Sequence, residues 1–212
     1  MQHKLMNRFL KLILGTAVIA VLNFALMPDA GAQNLGSLTT LLGQLGTTSK
    51  ASGDSTLISL AGDLASKAHS FSSLLGDNSV VQGQLIGALQ SMLSGNGVAS
   101  LGAFSKLSEA KLTSEQMKLA KDVGNVGSAY LVQKNLAALE GSQSDVAQIV
   151  NSLRKGSPAE AIPAIQSVAL NAKLTPAQKE LASTLAAQYA PEVKKIGDAL
   201  QEGLKSLSGF GK

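Results

Sequence analysis

The chain has 212 residues, with 18 lysines and arginines against 14 acids, no cysteine and no tryptophan. That length is ample for one domain with a substantial core. The missing cysteines exclude a disulfide framework, a thiolate metal site and a cysteine-held lipid anchor, and the small positive excess, with no basic run, leaves no footprint for nucleic acid.

Residues 1–32 read as a cleavable signal peptide. Lys4, Arg8 and Lys11 form a basic start, an apolar run follows from Leu12 to Met27, and Pro28 and Asp29 end it ahead of Ala30-Gly31-Ala32. Small residues at Ala30 and Ala32 are what a signal peptidase reads, so cleavage is expected between Ala32 and Gln33. The competing reading is an uncleaved anchor, but the 16-residue run falls short of the roughly 20 needed to span a bilayer. Cleavage removes Lys4, Arg8, Lys11 and Asp29 and leaves 15 basic and 13 acidic residues. Export without disulfides leans towards a bacterial periplasm or the cell exterior.

Residues 33–105 are rich in Gly, Ser and Leu and carry only Lys50, Asp54, Asp63, Lys67 and Asp77; residues 106–212 hold the other 23 charges. The shift marks two regions without requiring two domains. Helical spacing recurs along both: Leu35, Leu38, Leu42, Leu45; then Leu57, Leu60, Ala61, Leu64, Ala68, Phe71, Leu75; then Val81, Leu85, Ala88, Met92. It continues through Val146, Ile149, Val150, Leu153, through Ile162, Ile165, Val168, and through Val193, Ile196, Leu200, Leu204, Leu207. No stretch keeps a period of two. The expected fold is all-α, a compact bundle or short helical-repeat array of about eight or nine short helices.

Three capping boxes are expected. Thr113 with Gln116, Ser157 with Glu160, and Thr175 with Gln178 each place a hydroxyl three residues before a side chain that can return the bond, and Pro158 and Pro176 suit a first helical position. The first and third belong to a repeat. Ala110-Lys111-Leu112-Thr113, Gln116, Leu119 and Ala120 recur at an offset of 62 as Ala172-Lys173-Leu174-Thr175, Gln178, Leu181 and Ala182. Ser91 to Gly95 aligns with Ser152 to Gly156 once one residue is skipped. The copies span 84–139 and 145–201. A degenerate third, Leu60 to Leu64 with Phe71, parallels Leu119 to Val123 with Tyr130. Units of this kind cannot bury their apolar stripes alone and must pair or stack.

Site chemistry is sparse. His69 is the only histidine after the signal peptide; beside an apolar stripe it reads as a boundary or core residue, with no further ligands at metal spacing and no nucleophile elbow. Asp63 with Lys67 and Lys118 with Asp122 read as i,i+4 pairs on a solvated face. Gly36, Gly43 and Gly46 form no phosphate loop; they suit either close helix approach or a weakly helical arm. No cofactor, metal or catalytic set is implied. The expected function is a non-enzymatic exported helical protein that binds a macromolecular partner or itself in the cell envelope. The alternatives are a membrane-surface protein acting through residues 34–46 and 79–93, and an enzyme with an unrecognised site.

Overall fold

The computed structural model describes residues 30–191, which form eight helices and no strand. They are α1 Ala30–Ser52, α2 Ser55–Leu75, α3 Ser79–Leu93, α4 Gly97–Leu107, α5 Ser114–Leu136, α6 Gln143–Arg154 and α7 Pro158–Ala169, then α8 over residues 176–191. Residues 1–29, most of the signal sequence, lie outside the described residues, as do the stripe at 193–207 and residues 192–201 of the second repeat copy. Ala30, Ala32 and Gln33 open α1, but their side chains are also outside. The helices are not uniformly short: α1, α2 and α5 run to 23, 21 and 23 residues.

In α1 the leucine stripe decides the packing. Leu38, Leu42 and Leu45 are buried, where α1 lies against α2 and α3. The glycine side faces away. Gly36 and Gly43 are exposed and Gly46 half-buried, and nothing lies within 4 Å of a Cβ built at any of the three. Among the described residues no close approach runs through these glycines; the leucine side packs instead, because leucines bury far more apolar area than glycines can. In the last turn of the helix lies buried Ser49, whose Oγ donates to the Leu45 carbonyl at 2.8 Å and sits 3.0 Å from the Tyr130 hydroxyl of α5.

The long helices α2, α5 and α8 run antiparallel to their neighbours. At one junction, Gln133 near the end of α5 donates to Asp54 at the start of α2 (2.8 Å), while Gln116 at the start of α5 donates to the Leu74 carbonyl at the end of α2 (2.7 Å). At the other, Gln178 at the start of α8 donates to the Asn135 carbonyl near the end of α5 (2.8 Å), and Tyr189 reaches back to Asn125 (3.0 Å). Equivalent helices in a solenoid would stack parallel. Here they alternate in direction, which makes a compact bundle with α3, α4, α6 and α7 packed around the three.

The related segments match bond for bond. Thr113 and Thr175 each accept from the backbone N–H three residues on at 3.3 Å, and each N–H donates at 3.0 Å to the amide oxygen of Gln116 or Gln178. α3 and α6 also end alike. Gly95 (φ 81°) and Gly156 (φ 75°) take the left-handed conformation that a glycine adopts without a Cβ penalty. Each N–H bonds to Met92 or Leu153, and the next residue's N–H bonds to Ser91 or Ser152. Along the long helices Ala61, Ala120 and Ala182 are buried, as are Leu64, Val123 and Leu185, and then Phe71 and Tyr130.

Two local expectations are corrected. The Ser157–Glu160 box does not form: Ser157 occupies the N-cap without a side-chain bond, and the Glu160 N–H goes to the Ser157 carbonyl instead. Ser157 also closes the preceding helix through its own N–H, and its ψ of 61° lies away from the extended ψ of 164° at Thr113. From the corresponding position the longer Asn96 side chain still reaches the Ala99 N–H; the serine hydroxyl does not. The i,i+4 ion pairs are replaced by pairs between helices, Lys67 with Asp122 and Asp63 with Arg154, because neighbouring helices bring opposite charges closer than the same helix does. The compositional break at 105/106 falls inside α4, and one core includes buried residues from both sides.

Candidate functional site

His69 is exposed on α2, and the described residues contain no group of three metal-capable side chains. Among them, Asp54 is the carboxylate whose acidity is clearly perturbed. The Gln133 amide bound to it, helped by the Leu57 and Thr56 N–H groups and opposed by partial burial, holds its carboxyl below the ordinary value. This is the chemistry of a helix cap tied to a neighbouring helix, and it explains Asp54 without a reaction.

Two cavities, of about 640 and 500 Å³, exceed a third of about 290 Å³ between α2, α5 and α6. The larger, about 640 Å³, lies between the α3–α4 turn and the start of α8. Its polar side chains are already engaged: Asn96 caps α4, Asn135 donates to the Leu131 carbonyl, and Gln178 spans to Asn135. Glu180 is its one charged residue.

The second cavity, about 500 Å³, is bounded by the last turns of α4, the first half of α5, the α6–α7 junction and the end of α8. Lys118, Lys121 and Lys155 line it and are exposed. Among the described residues no carboxylate pairs with any of them. Asp122 is also in the wall but is held by Lys67 at 3.3 Å. Tyr189 donates to Asn125 Oδ1, which leaves the Asn125 amide nitrogen to donate in turn. Gln188, in the same wall, has its Oε1 buried and without a hydrogen-bond partner.

The two cavities occupy equivalent places in the two copies. Ser94, Gly95 and Gly97 with Glu180 line the first; their counterparts Lys155, Gly156 and Pro158 with Lys118 line the second. The geometry is built twice, and the positive charge appears once.

The cap residues expected from sequence do not gather into a site. Thr113 with Gln116 and Thr175 with Gln178 open α5 and α8 and join consecutive long helices, while Ser157 and Glu160 sit at the start of α7. Sequence reasoning missed the cleft because it read Lys118 as part of a helical pair with Asp122. The usable signal was the mismatch between copies, Lys118 against Glu180 and Lys155 against Ser94. No protein-family model, curated protein or solved structure matches this chain.

Proposed function

We propose that this chain is an exported, non-enzymatic helical protein that binds a partner protein in a bacterial cell envelope, with the cleft between α4, α5, α7 and α8 as the contact point. The export half rests on the tripartite signal in residues 1–32. The binding half rests on one observation, three lysines around a cavity of about 500 Å³ that no carboxylate among the described residues pairs with. A binding role suits the groups there better than catalysis. Acid–base chemistry needs a group poised to take a proton, whereas the cleft offers amines and one carboxylate already engaged by Lys67. Membrane contact through residues 34–46 and 79–93 is the less favoured reading. The apolar sides of α1 and α3, at Leu38, Leu42, Leu45, Val81, Leu85 and Met92, lie in the core and would have to leave it.

The test is photocrosslinking in the producing cell from position 121, with position 48 on the exposed side of α1 as control. The expected result is a discrete adduct from 121 and none from 48. No adduct from 121, together with flotation of the purified protein on liposomes at physiological salt, would overturn the reading in favour of the membrane.

A further inference from the structure

We infer that the basic cleft takes an acidic peptide segment, with carboxylates set among Lys118, Lys121 and Lys155 and a backbone N–H donated to Gln188 Oε1. This deepens the binding role proposed above and rests on it.

The charge argument comes from the paired cavities. The fold builds the same hollow at the α3–α4 turn with Ser94 and Glu180 where the second has Lys155 and Lys118. Packing therefore does not require lysine at either place. Lys121 likewise has Ser183 as its counterpart on α8. Three amines gathered from α5 and the α6–α7 junction, with Asp122 in the same wall committed to Lys67, leave a local positive excess among the described residues that an anionic partner neutralises.

The second argument separates a peptide from a simple anion. Gln188 Oε1 is a buried acceptor with no donor, an arrangement that costs free energy and that favours turning the amide towards the cleft once a donor is there. An ionised carboxylate or a sulfate ion brings only acceptors to it. A peptide brings both, a side-chain carboxylate for the lysines and a main-chain N–H for the amide oxygen, and it also offers a carbonyl to the donor nitrogen of Asn125. The volume of about 500 Å³ accepts a few residues of extended chain.

The experiment titrates a short capped peptide of aspartate and glutamate into the isotope-labelled protein and follows backbone amide shifts. Shifts clustered at Lys121, Asn125, Gly156 and Gln188, weakening as salt rises, are expected. Lys121→Ser and Lys155→Ser, which install the counterpart residues and so preserve the fold, should each weaken binding about threefold. Gln188→Leu should weaken the peptide while leaving any weak binding of inorganic sulfate unchanged. Equal responses to peptide and sulfate would overturn the peptide assignment, and so would an absence of shifts at the cleft. Binding that appears only after removal of residues 192–212 would also overturn it, by making the chain's own C-terminal segment the occupant. If crosslinking from position 121 still captures a partner protein while the peptide gives no shifts, the binding role stands and this inference alone falls.

Discussion

Replacing Gly127 by alanine tests the packing of the second long helix at its tightest point. Gly127 lies in the middle of α5, where alanine would ordinarily improve a helix by about 1 kcal/mol. Here a Cβ would overlap the ring of Phe104 from α4. Phe104 is 1% exposed, so moving its ring aside gives up buried contacts even though the residue borders the second cavity. Inserting a methyl into a packed core costs about 1–3 kcal/mol, which set against the propensity gain leaves a net loss of about 1 kcal/mol at the middle of that range. Gly62, exposed in α2 with nothing within 4 Å of its Cβ, supplies the control: Gly62→Ala should stabilise by about 1 kcal/mol. The two substitutions are chemically identical and opposite in sign. Urea unfolding followed by helical circular dichroism measures both, provided the slope with denaturant is unchanged. Phe104→Leu should make room, so the double variant with Gly127→Ala should lose less than the sum of the singles by about 1 kcal/mol. If Gly127→Ala stabilises as Gly62→Ala does, Phe104 does not sit on α5 as described and the reasoning fails.

Other outcomes follow from the caps and the charges. Thr175→Ala should cost about 1 kcal/mol in the same assay, whereas Ser157→Ala, at a cap that makes no side-chain bond, should cost only a few tenths; equal losses would contradict the corrected cap assignment. Asp54 has its acidity raised in the folded state, so its contribution is present above the unfolded carboxylate value of about 4 and is lost as pH falls through the lower folded value. Gln133→Leu should therefore flatten the decline of stability on acidification, and an unchanged acid limb would refute the coupling. Asp63→Asn should change stability by less than about 1 kcal/mol, because its partner Arg154 has a side chain 41% exposed. Produced in a bacterium with a secretory pathway, the folded protein should begin at Gln33 on N-terminal sequencing, and intact Met1 would restore the anchor reading.

What could be read from sequence was what depends on neighbours along the chain. Thr113 with Gln116 and Thr175 with Gln178 were legible because both bonds of each box close within three residues. The apolar stripes were legible because burial follows helical period: Leu38, Leu42 and Leu45 lie inward as their spacing requires. The failures share the opposite cause. Ser157 fits the box motif, but its backbone is claimed by the helix before it. Asp63 and Lys67 stand one turn apart, yet Arg154 and Asp122 from other helices take them. Gly127 looked like any helix-interior glycine until α4 laid Phe104 across it. The cleft was invisible for the same reason, since Lys118 and Lys121 meet Lys155 only through the packing of α5 against the α6–α7 junction.

Direction was the other missing quantity, and it is what turns a repeat into a site. An offset of 62 says that two segments are equivalent, but not whether they lie parallel. The second bond of each glutamine answers that. Gln116 and Gln178 spend the oxygen on their own caps and the nitrogen on the last turn of the preceding long helix. A helix start held against its predecessor's end forces the pair antiparallel. Alternating direction then sets the turn of one copy against the long helix of the other: Gly97 faces Leu181, and Gly156 faces Asp122. Two equivalent hollows result from one rule of packing. Their cores agree, Ala120 with Ala182 and Val123 with Leu185, while their rims do not, Lys118 with Glu180 and Lys121 with Ser183. Positions that hold the bundle together have kept the same kind of residue in both copies. The rim of one hollow has taken on a charge that the bundle does not need, so the reason for that charge lies outside the fold, in what the hollow meets.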